Sequence, residues 1–252
     1  MKKFFNPKFL PWFILATGSM GLLLRTWLLT DGFDEKGLLT AGHPAEWLLW
    51  LLTVVTLGLL AIGCLPLTEA PKYSFNFPAS PVGAAGEFMA ASGVLAVSVL
   101  NFSTKLDTFA LVAFGAGLLA VPMLGFCAWC RLKGNQPPFY LHGIVCVFWM
   151  LRLVVQYRIW SPDPQLQDYC FQLLATVFLM LASYQRTVFD ADHGDRRMYT
   201  IFHLAALFFC FLSIPFCQDW PLYLGCGAWI ITNLCSLIPM PNWSFQKSKE
   251  DE

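Results

Sequence analysis

Residues 44–65 read PAEWLLWLLTVVTLGLLAIGCL, a run with no Lys or Arg and a single acid, Glu46, at its start. Coiled as an α-helix, such a run is about 33 Å long and matches a hydrocarbon core of ~30 Å. A barrel strand would alternate apolar and polar residues, and this run does not. Seven further stretches of the same kind lie at roughly 10–30, 84–102, 107–130, 138–160, 164–186, 197–217 and 219–240. The expected fold is all-α: a polytopic transmembrane helical bundle of eight spans, forming one integral membrane domain over residues 1–252. Pro44 and Pro164 stand where a first helical turn tolerates a missing N–H, with His43 and Asp163 in the capping positions before them.

Composition agrees. Of the 252 residues 57% are hydrophobic and 13% charged, against about 25% charged in soluble domains. Mean hydropathy is +0.57. Sixteen basic residues balance sixteen acidic ones, so no electrostatic footprint for phosphate exists and a nucleic-acid partner is excluded. The partner implied by the surface is the lipid bilayer. Nine cysteines in so long a chain do not form the framework of a small secreted domain.

The N-terminal stretch has a basic start and an apolar run but no A-x-A-like cleavage site before Arg25, so a retained first helix is expected. With eight spans both termini share one side. That side collects Lys2, Lys3, Lys8, Lys72, Arg131, Lys133, Arg186, Arg196, Arg197, Lys247 and Lys249; the other has only Lys36, Lys105 and Arg158. Basic residues gather on the cytoplasmic side, which places both termini there in a cytoplasmic (inner) membrane. The longest connection, PLTEAPKYSFNFPASP at 66–81, is a Pro-rich cytoplasmic strap.

The two halves also share an order of features. Arg25 and then Pro44–Glu46 in the first correspond to Arg152 and then Pro164–Asp168 in the second, and Asp107 before FGAG corresponds to Asp219 before LGCG. A parallel 4+4 repeat would have this order; acids at helix starts and Gly in membrane helices are also common without one.

Ionisable groups at membrane depth are costly and therefore mark candidate sites. Arg152 and Gln156 share a face of the fifth span, and Gln165, Asp168, Gln172 and Thr176 form a stripe on the sixth. Arg152 and Gln172 both lie roughly 12 Å from the outer ends of their helices, so Arg152 is in reach of Gln172 or Asp168. Arg25 and Glu46 form an analogous combination between the first two spans. Either these residues line an outward-facing polar pocket, with Arg152 as an anion contact, or an Arg–Asp pair fixes the hairpin register.

Other features read more plainly. Gly83, Gly86, Ala90 and Gly93 make a small-residue face for close helix packing. Pro122 predicts a kink in the fourth span. Cys127-Ala-Trp-Cys130 is a C-x-x-C beside Arg131 and Lys133, on the reducing side, with His142 as the nearest imidazole. His203 reads as a packing residue or a proton relay. Asp190-Ala-Asp192-His193-Gly194-Asp195 begins like a calcium loop but has Ile201 where the closing Glu belongs, and reads as a solvated turn. No Walker A, H-E-x-x-H or G-x-S-x-G pattern is present, so no catalytic residue, metal or cofactor is expected.

YRIWSPDPQLQDYCFQLLATVFLMLASY (157–184) and RTWLLTDGFDEKGLL (25–39), the latter followed by GHP, resemble segments of uncharacterised multi-pass membrane proteins of Gram-positive anaerobes. The resemblance implies a shared architecture and no particular chemistry. Three functions follow as expectations: binding or transport of a small solute or ion around Arg152, Gln156, Asp168, Gln172, Arg25 and Glu46; an accessory subunit packed on another membrane protein; or a thiol oxidoreductase using Cys127 and Cys130.

Overall fold

The computed structural model describes residues 9–32, 43–67, 71–104, 108–161 and 169–237. Among them the chain forms nine helices and no strand: α1 (Leu10–Asp31), α2 (Pro44–Cys64), α3 (Tyr73–Asn76), α4 (Pro81–Thr104), α5 (Thr108–Lys133), α6 (Tyr140–Trp160), α7 (Cys170–Asp190), α8 (Arg196–Ser213) and α9 (Trp220–Leu237). Five stretches are long and apolar enough to cross a membrane: α1, α2, Pro81–Leu100 of α4, Leu111–Lys133 of α5, and α6. The protein is a helical bundle of membrane type. Large apolar side chains such as Leu23, Trp47, Leu51 and Val54 face outward, which water would penalise and lipid does not.

Helix starts follow local chemistry. His43, a weak capping residue by type, nevertheless accepts the Ala45 N–H on Nδ1 at 3.3 Å, and Pro44 follows it. Asp195 caps α8 by accepting the Arg197 N–H at 2.8 Å. That helix stops at Ser213, two residues before Pro215. The turn after it carries Phe216 with φ +56°, a left-handed conformation a Phe adopts only when its surroundings impose it. α7 is described from Cys170; the start at 164 read from the sequence, with Asp163 and Pro164, lies outside the described residues. α5 runs unbroken through Pro122.

α8 is the axis. Its neighbours are α1, α2, α7 and α9, and Leu204 to Cys210 are buried without a break. An uninterrupted apolar run is what a helix surrounded by other helices requires. α4 packs against both α5 and α9. The small face read from the sequence makes the second of these contacts. A Cβ on Gly93 would stand 2.7 Å from the Pro221 carbonyl oxygen, and one on Gly86 would collide with Thr232. Gly225 of α9 makes the reciprocal approach to the Met89 carbonyl. Backbones this close leave no room for a side chain.

Gly93→Leu should therefore force α4 and α9 apart and cost about 1–3 kcal/mol, the usual penalty of overpacking. Gly58→Leu in α2 is the control, since a Cβ there meets nothing within 4 Å. Thermal unfolding in detergent should show a clear drop in Tm for the first variant and little change for the second.

Candidate functional site

Two polar regions lie at opposite ends of the bundle. At one end α4, α6 and α8 begin while α5 and α7 finish, and the strap containing α3 closes over them. The other end holds a cavity of about 540 Å³, within the range of small-molecule pockets. Ser98 of α4, Ala113 and Phe114 of α5, one face of α6 from Phe148 to Trp160, Tyr169 and Gln172, and residues 216–219 line it. Five aromatic side chains contribute to its walls: Phe114, Phe148, Trp160, Tyr169 and Phe216. Trp160 and Tyr169 stack at 4.5 Å between ring centroids.

Three of the residues singled out from the sequence, Arg152, Gln156 and Gln172, line this cavity. The Gln156 side-chain carbonyl accepts from the Thr176 hydroxyl at 2.9 Å, which ties α6 to the polar stripe of α7. Its amide nitrogen, Nε2, and Arg152 Nε are buried and have no acceptor among the described residues. Asp168 lies outside the described residues. The guanidinium of Arg152 donates to Asp219 at 2.5 Å, with the two side chains 7% and 15% exposed. Asp219 had entered the sequence reading only as the residue before a Gly pair. Its signal was available: it stands in a connection expected on the same side as the outer end of α6. Arg25 and Glu46 do not line the cavity. Arg25 is buried with its guanidinium 5.3 Å over the Phe171 ring, and Glu46 occupies the first turn of α2.

The strap end holds a second cluster that sequence reasoning missed. Glu87 of α4 is fully buried. Arg186 of α7 stands between it and Asp190, at 3.5 Å from Glu87 Oε1 and 3.6 Å from Asp190 Oδ1. His142 Nδ1 contacts Asp190 Oδ2 at 2.5 Å. The solvated turn expected at 190–195 is thus corrected at its first residue, because Asp190 points into the bundle and is 4% exposed. Arg131, Arg186 and Arg196, counted above among loop residues, are buried as well. The lone acid three residues into the third predicted span was the missed signal for Glu87.

The arginines hold the strap. Arg131 donates to the Pro78 carbonyl at 2.6 Å, Arg196 donates to Asn76 Oδ1 at 2.5 Å, and Arg186 lies 3.7 Å over the Phe77 ring. Asp192 accepts the Tyr73 N–H at 2.7 Å. Tyr73, Asn76 and Phe77 are consequently buried, and burial pushes the Tyr73 phenol above its ordinary pKa.

Cys127 and Cys130 are both buried and unbridged. Cys127 Sγ lies 3.6 Å from His142 Nδ1, the same nitrogen that meets Asp190. A Cys–His–Asp relay needs the two ring nitrogens to serve different partners, so this is not that geometry. His203 stacks on Tyr199 at 3.6 Å and its Nδ1 contacts the Tyr199 carbonyl at 2.8 Å. No group of three His, Cys, Asp or Glu residues among those described could hold a metal ion.

No family model matches the chain, and no curated protein or solved structure does either. The chemistry of the two ends is therefore the guide to function.

The Arg152–Asp219 pair has a measurable consequence. Removing one partner strands the other charge, so Arg152→Ala or Asp219→Asn should each cost about 3 kcal/mol. The double variant should cost less than the sum of the two. A double-mutant cycle from unfolding in detergent measures that coupling.

Proposed function

We propose that the protein binds a small polar solute or ion in the cavity around Arg152, as a permease or a membrane receptor for it. The cavity carries this reading: a space of about 540 Å³ bounded by aromatic side chains, with a few polar groups converging on it. Arg152 Nε and Gln156 Nε2 offer hydrogens that find no acceptor among the described residues. The Arg152–Asp219 pair presents both signs of charge. A solute with an acceptor oxygen and an apolar portion suits such walls, a small carboxylate or a zwitterion being the simplest examples.

The topology enters on the same footing. We infer eight crossings in a cytoplasmic membrane with both termini cytoplasmic, from the distribution of Lys and Arg. On that topology the cavity faces outward and the strap lies on the cytoplasmic side. A 4+4 repeat is proposed only from the shared order of sequence features; α7 and α8 pack together, whereas α2 and α4 share no extended contact. Single cysteines at Ser161 and at Asn135 in a background free of other cysteines test the orientation. An impermeant maleimide applied to intact cells should label the first and spare the second.

An accessory subunit is the second reading, and it predicts a plugged interior, which fits the strap end better than the cavity end. The thiol reading needs Cys127 and Cys130 within reach of a cytosolic partner, and their burial favours the solute reading over it.

A thermal-shift screen of the detergent-purified protein against small carboxylates, amino acids and inorganic ions is the test. A ligand at 100 times its Kd stabilises the folded state by about 2.7 kcal/mol. The expected result is a saturable shift that Gln156→Leu reduces at least tenfold in affinity while leaving the unliganded Tm near that of the wild type. A flat screen from folded protein moves the weight to the accessory-subunit reading.

A further inference from the structure

We propose that Glu87 is a proton-binding site, with Arg186 as the countercharge it shares with Asp190 and with the strap as the cover over both. The inference goes beyond the solute-binding reading and does not rest on it.

Glu87 is 0% exposed, and neither carboxylate oxygen accepts a hydrogen bond among the described residues. Its nearest charge, Arg186, stands at 3.5 Å and is divided between two acids. A buried carboxylate normally accepts two or three hydrogen bonds, and one left without them is costly. Asp190 differs, because His142 meets its Oδ2 at 2.5 Å and only Oδ1 is left without a hydrogen bond. Of the two acids Glu87 is therefore the one that gains most by taking a proton.

The titratable and charged groups around Glu87 are Arg186 and Asp190 of α7, His142 of α6, Arg131 and Cys130 of α5, Tyr73 of α3 and Tyr199 of α8. His142 Nε2 is a further polar atom here with no hydrogen-bond partner among the described residues. A proton is the ligand that such a packed cluster can admit, because it needs no volume. A bound metal cation would need several oxygen ligands and would be repelled by the guanidinium groups.

Protonation adds one H⁺ to a carboxylate oxygen, taken from water at the strap end, and no electron moves. It releases Arg186 from Glu87 and leaves it to Asp190. Because Arg186 lies 3.7 Å over Phe77 and donates to the Tyr73 hydroxyl at 3.4 Å, that shift bears directly on how the strap is seated.

Infrared difference spectroscopy of the full chain, titrated between about pH 5 and about pH 9 without any solute, tests this. Protein grown with isotope-labelled glutamate identifies a protonated Glu carboxyl by the displacement of its C=O band. The expected result is one such band that declines as pH rises and is lost in Glu87→Gln. If that variant does not fold, Glu87→Asp should move the band from the glutamate label to an aspartate label. A wild-type spectrum with no titrating Glu band in this range overturns the proposal. So does a band that persists unchanged in Glu87→Gln, or one that follows the glutamate label in Glu87→Asp.

Discussion

Arg186 has no water to turn to. It is 1% exposed and stands where α4, α7, α8 and the strap converge, so each of its contacts must come from the protein. An unpaired buried charge costs several kcal/mol, and that constraint organises the whole strap end. Glu87 and Asp190 face the guanidinium from two helices, Phe77 and Tyr73 lie against its plane, and Arg131 and Arg196 fasten the strap on either side. Removing water makes these contacts strong and leaves few substitutes for any one of them.

The opposite end meets the same constraint with a single pair. Arg152 and Asp219 neutralise each other, and the other described residues around the cavity are aromatic, aliphatic or uncharged polar. One end of the bundle is dense and charged, the other hollow and aromatic. α8 runs between them, its apolar residues packed from all sides. The close approach of α4 to α9 through Gly86, Gly93 and Gly225 holds the two ends in fixed relation.

Much of this was legible in advance. Helix positions follow from continuous apolar runs, and the small-residue face on α4 follows from spacing alone. Arg152, Gln156 and Gln172 were legible as one cluster, because residues at equal depth on adjacent antiparallel helices must meet. Asp219 was legible only as a residue on the same side, since it lies just before α9 and is remote in sequence. The same reason hid the strap-end cluster: Glu87, Arg131, His142, Arg186 and Asp190 lie on four different helices, and only their three-dimensional order turns isolated charges at helix ends into one buried assembly. Asp190 reads as a turn residue, and the turn is indeed exposed at Ala191 and Asp192, but Asp190 itself is the last, buried residue of α7.

By itself, then, the sequence determined the class of the protein and the ends at which its charges lie. Those are properties of single helices, governed by the cost of placing a polar group in hydrocarbon, and a linear pattern records that cost directly. Only the tertiary structure decided which charges meet. Pairing depends on helix rotation and neighbour order, and these are set by packing among many side chains that are interchangeable in hydropathy. Thus Arg152 found Asp219, Arg186 came to bridge two acids, and a connection between helices became the cover of a buried cluster.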